Sequence, residues 1–87
     1  MIAYVLYNRD TAEQKRAEDL ARRLQDEQVE TELLDADSPR GVQLAENYDI
    51  MRRPAVVLVG PSGGPVQVWQ GADGLPAPAD VAYLAHQ

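Results

Sequence analysis

The sequence predicts an α/β fold with the order β-α-β-α-β-β-α and a four-stranded mixed sheet. Three observations carry it. Ile2–Tyr7 and Ala55–Val59 are apolar at successive positions, as strands covered on both faces are. Val29–Leu34 and Val66–Gln70 alternate in polarity, as half-exposed edge strands do. Two helical patterns separate the first three strands, and such crossovers set strand 1 parallel to strand 2. The doubly apolar strands 1 and 3 belong at the centre and strands 2 and 4 at the edges. That gives the strand order 2-1-3-4 with helices on both faces.

The chain of 87 residues suits a single domain, 1–87, with a modest core. Its hydrophobic fraction of 45% is that of an ordinary globular protein. No apolar run approaches the ~20 residues that span a bilayer. The N-terminal run lacks the basic flank and length of a signal peptide, so a cytoplasmic location is expected. The net charge of −6 argues against nucleic-acid and anionic-membrane partners, which select a basic face. There is no cysteine, which removes disulfides, thiolate metal sites and thiol redox chemistry together. The single histidine, His86, adjoins the C-terminus and is expected in solvent.

After strand 1 and the polar loop Asn8–Asp10, Thr11-Ala12-Glu13-Gln14 matches a capping box. Asp10 with Glu13 offers an equivalent start one residue earlier. The helix extends to about Gln28, with Ala17, Leu20, Ala21 and Leu24 as one apolar stripe. Glu18/Arg22, Asp19/Arg23, Arg22/Asp26 and Arg23/Glu27 stand at i, i+4 on its solvated faces. The glutamates of strand 2 discourage edge pairing. Ser38-Pro39 then supplies an N-cap and a first-turn proline for a helix over Pro39–Asn47. Val42, Leu44, Ala45 and Tyr48 are expected on its buried side, and Gly41 weakens it by about 1 kcal/mol relative to Ala.

Pro54 stands at the first residue of strand 3, where the missing amide donor is tolerated. Gly60–Pro65 is a turn that makes strands 3 and 4 an antiparallel hairpin. Gly71–Pro76 reads as a loop. Pro78 opens a terminal helix that docks through Val81, Leu84 and Ala85. Trp69 on the edge strand packs under a helix or serves an interface. One histidine and scattered acids form no metal set, and no glycine-rich phosphate loop is present. No cofactor is expected.

The stretch Tyr48-Asp49-Ile50, three residues, Pro54 and an apolar strand resembles the thioredoxin family in its short, glutaredoxin-sized form. Val29–Asp37 with Ser38-Pro39 resembles that family's second strand and acidic turn, and Val66–Gln70 with Gly71 its last strand and terminal glycine. The resemblance implies a cis Arg53–Pro54 bond facing the start of helix 1. It also implies a groove there for an extended peptide or glutathione, rimmed here by Arg9, Arg52, Arg53, Pro54 and Asp73. Arg52-Arg53-Pro54 further resembles the Arg-Pro before the third strand of arsenate-reductase and Spx-like proteins.

The departure is at Asn8–Gln14, where the family carries its cysteine and this chain has none. Disulfide exchange therefore has no nucleophile. Three uses of such a domain are open: a protein-binding or adaptor module with no enzymatic role, a binder of small anions or glutathione-like thiol peptides, and a homodimeric structural module. The expected state is a monomer or weak homodimer with a protein partner.

Overall fold

A computed structural model describes residues 1–87. It contains β1 (Ile2–Tyr7), α1 (Gln14–Asp26), β2 (Glu30–Asp35), α2 (Pro39–Asn47), β3 (Ala55–Val59), β4 (Pro65–Gln70) and α3 (Pro78–Ala85), with one 3₁₀ turn at Ala72–Gly74. The sheet order is β2-β1-β3-β4, as the burial argument requires. β1 runs parallel to β2 and antiparallel to β3, and β4 runs antiparallel to β3.

All five residues of β3 are buried, and they divide by parity between two cores. Val56 and Leu58 join Ala3 and Val5 beneath α1 and α3, where Ala17, Leu20, Ala21, Leu24, Val81 and Ala82 complete the packing. Ala55, Val57 and Val59 join Leu6 and Leu34 beneath α2, with Leu44, Ala45 and Ile50. Burying a Leu or Val side chain contributes roughly 1.5–3 kcal/mol. A strand that feeds two cores therefore sits at the energetic centre. Trp69 is half-buried against the first core, as are Leu75 and Leu84.

Helix α2 begins as expected: the Ser38 hydroxyl accepts from the Gly41 amide at 3.1 Å. The buried face is rotated from the expected one. Gly41 is buried and Val42 is 44% exposed, because the helix rests directly on the β2 terminus. A β-carbon at residue 41 would stand 2.0 Å from the Asp35 carbonyl oxygen. Gly41 is thus what permits the contact, rather than a weak point. Tyr48 closes the helix, and its hydroxyl donates to Gly63 O at 2.8 Å in the β3–β4 turn.

The start of α1 differs from the capping box. Asp10 adopts φ 58°, and the Thr11 hydroxyl donates back to Asn8 O at 2.8 Å instead of capping the helix. Gln14 still reaches back, its Oε1 accepting from the Asp10 amide at 2.8 Å. Helix α1 consequently starts at Gln14. Of its surface charges, Arg22 bonds Asp19 at i, i+3, and none of the four expected i, i+4 pairs forms.

The C-terminal end of α1 is a Schellman motif: Val29 N–H bonds Leu24 O at 3.0 Å and Gln28 N–H bonds Gln25 O at 2.9 Å. Gln28 holds the left-handed conformation this needs, φ 63°. His86 Nε2 lies 3.0 Å from Glu27 O, tying the α3 terminus to the same corner. Asp49, φ 54°, takes the left-handed position after α2 and lets Ile50 N–H reach Ala45 O at 2.9 Å.

Candidate functional site

Strand directions collect the sequence-derived candidates at one end of the sheet. There Tyr7 faces Asp35, Leu6 faces Ala55, and Ala55 faces Gln70. Asn8 and Arg9 leave β1 at this end, Pro54 enters β3, and Gly71 leaves β4. The Arg53–Pro54 bond is cis and Pro54 is buried. Its carbonyl accepts from the Gly71 amide at 2.9 Å, which continues the β3–β4 ladder by one pair.

The segment before Pro54 is held from β4. Gln70 Oε1 accepts from the amides of Met51, at 2.8 Å, and Arg52, at 3.1 Å. Arg52 Nη2 bonds Asp73 Oδ1 at 3.1 Å, an exposed pair of small energetic weight. Gly71, at φ 86°, lies under that guanidinium. Sequence reasoning missed Gln70, whose only signal was its place as the last polar residue of an alternating strand. Within Gly71–Pro76, where the sequence pattern predicts a loop, a 3₁₀ turn at Ala72–Gly74 presents Asp73.

The basic residues do not converge. Arg9 Nε lies 3.5 Å from Asp35 Oδ2, on the β2 side of Pro54. Arg52 turns toward β4 and Asp73. Arg53 lines a shallow depression beside α2, together with Val42, Ala45, Glu46, Asp49, Ile50 and Met51. Its Nε is shielded from solvent and has no hydrogen-bond partner. Met51 is 81% exposed beside it. The Arg53 backbone amide and carbonyl also make no hydrogen bond within the chain.

No cluster of three His, Asp or Glu side chains is placed to hold a metal ion. At Asn8–Gln14 the Thr11–Asn8 and Gln14–Asp10 bonds fix the turn into α1. No thiol is present there or elsewhere to attack a disulfide.

Among solved structures, the chain superposes on thioredoxin 1 from the thermophilic eubacterium Thermosipho africanus TCF52B with a TM-score of 0.62, over 99% of this chain and 91% of that one. The fold is that of thioredoxin. At 9% sequence identity the likeness is one of fold alone. No protein-family model and no curated protein matches the chain. This is therefore a thioredoxin fold without the cysteine that thioredoxin-type exchange requires. No helix is long and apolar enough to cross a membrane.

Proposed function

We propose that this thioredoxin-fold domain is redox-inactive and works by binding an extended segment of another protein along the residues before Pro54. The observation that carries the reading is at Arg53. Its backbone amide and carbonyl are unpaired at a sheet end, next to an exposed Met51 and the shallow depression where Val42, Ala45 and Ile50 meet Glu46 and Asp49. An extended partner bonds to both backbone groups as a short added strand. Its side chain fills the depression against Met51, a flexible side chain suited to varied apolar contacts. The clamp from Gln70 holds Met51 and Arg52 in place before binding, which lowers the ordering cost of association.

A small-anion or glutathione site has less support. Arg9 faces Asp35 and Arg52 faces Asp73, so two of the three arginines already oppose carboxylates.

Peptides selected from a random display library, titrated into ¹⁵N-labelled protein, test the reading. It expects shifts centred on Met51, Arg53 and Ala55, and roughly tenfold or greater weakening with Met51→Ala, equivalent to about 1.4 kcal/mol. Selected ligands that map to other surfaces would sink it. In parallel, millimolar phosphate, arsenate and glutathione should leave the amides of Arg9 and Arg53 unmoved.

A further inference from the structure

Both ends of α1 carry charges that its dipole disfavours. The first turn holds Lys15 and Arg16 and no acid, and the helix closes on Asp26 and Glu27. A helix by itself is stabilised by the reverse, acids at its N-terminus and bases at its C-terminus. The ion pairs of the chain do not relieve this. They use Arg9, Arg22, Arg40 and Arg52, which leaves Arg16 and Arg23 without a carboxylate. Arg23 has Asp19 four residues before it and Glu27 four after, and bonds neither.

Both free arginines line a trough of about 250 Å³ between α1 and the segment leading into α3. Leu75, Pro76 and Pro78, all half-buried, supply its apolar surface together with Leu20. Asp19 borders it too, but its carboxylate is bonded to Arg22. Past Arg23 and Pro78 the trough continues into a second hollow of about 350 Å³, beside Asp26 and Glu27. The wall facing the helix is stiff. Leu75 (φ −68°, ψ 141°) and Ala77 (φ −72°, ψ 146°) hold the polyproline conformation, and each precedes a proline. A wall set before binding lowers the ordering cost of association.

The trough thus has two cations at one end, apolar contacts along it and two anions at the other end. We propose that it binds an extended segment of a partner protein, acidic at one end and basic at the other, with apolar residues between. Arg16 and Arg23 stand roughly 10 Å apart along the helix axis, and Glu27 lies about 6 Å further on. An extended chain covers that span in about six residues. Two acids three positions apart meet the arginines, and Lys or Arg about two positions later meets Asp26 and Glu27. Such a segment is close to neutral, so the net charge of −6 does not oppose its approach. A uniformly acidic segment would meet Asp26 and Glu27, and a uniformly basic one Arg16 and Arg23. The trough lies on the α1 and α3 face of the sheet, whereas the Arg53 depression lies beside α2 on the opposite face. This site therefore goes beyond the docking at Arg53, and either can fail without the other.

A displayed heptapeptide library tests it, acidic at the first and fourth positions, lysine at the last two and varied elsewhere, selected on the full chain in this order and in the reverse. Selected peptides are titrated into ¹⁵N-labelled protein up to about 2 mM, a range suited to a contact of this size. The expected result is shifts at Arg16, Leu20, Arg23 and Leu75, with Met51 and Arg53 unmoved. Arg23→Gln keeps a good helix former and should weaken binding at least tenfold while the spectrum retains its dispersion. Arg16→Gln, with the same expected weakening, is the second variant should Arg23→Gln disturb the fold. Replacing both lysines of a selected peptide by glutamate should also weaken it at least tenfold. No peptide selected in either order, shifts mapping elsewhere, binding that survives the arginine substitution, or equal affinity for the all-acidic peptide would each overturn the inference.

Discussion

The guanidinium of Arg52 lies against the Cα of Gly71, where a β-carbon would stand 2.6 Å from Arg52 Nη2. Gly71 is also at φ 86°, ψ 154°, a region open essentially to glycine alone. Contact and backbone here make separable demands. Gly71→Ala should cost about 1–3 kcal/mol in denaturant unfolding, and Arg52→Ala in the same chain should not restore it. The guanidinium can swing aside, but the backbone strain stays. Full rescue by Arg52→Ala would show that the contact, not φ, sets the cost.

Gly41→Ala offers a change of sign. On an exposed helix the substitution would stabilise by about 1 kcal/mol. Here the added carbon meets the Asp35 carbonyl, so unfolding should show a net loss of about 1–3 kcal/mol. A gain would mean that α2 does not rest on the end of β2.

At Gln28 and Asp49 the left-handed conformation is held by residues other than glycine, Asp tolerating it better than Gln. Gln28→Gly and Asp49→Gly should each raise stability by roughly 0.5–1 kcal/mol, read as a higher denaturant midpoint at unchanged slope. A loss at either position would contradict the helix-end geometry described.

These cases mark where the sequence was legible. The central strands announced themselves because covering both faces demands unbroken apolar runs, and the order 2-1-3-4 followed. Ser38-Pro39 was legible because capping is local. Gly41 was misread because its role depends on a carbonyl in another element. The capping box at Thr11 was misread because Asp10 reverses the chain first, a choice that no spacing rule records. Gln28 and Asp49 lacked the glycine that usually signals a left-handed position. The five groove candidates did gather at one sheet end, which topology dictates. Their directions are set by individual rotamers and neighbouring carboxylates, so Arg9, Arg52 and Arg53 parted.

Gln70 joins stability to the proposed function. Gln70→Ala removes the acceptor shared by the Met51 and Arg52 amides, at a cost of about 1 kcal/mol. Hydrogen exchange at both amides should accelerate and peptide affinity should fall, while the β1–β3 amides remain protected. Unchanged exchange at Met51 would show that the segment is held by other means.

Exchange at the Arg53 amide, measured free and with a saturating selected peptide, tests the central claim most directly. In the free chain this amide has no partner, so it should exchange rapidly. If the segment before Pro54 is the docking strand, binding should slow it at least tenfold. Unaltered exchange at Arg53 in a saturated complex would place the partner elsewhere and contradict the proposed function.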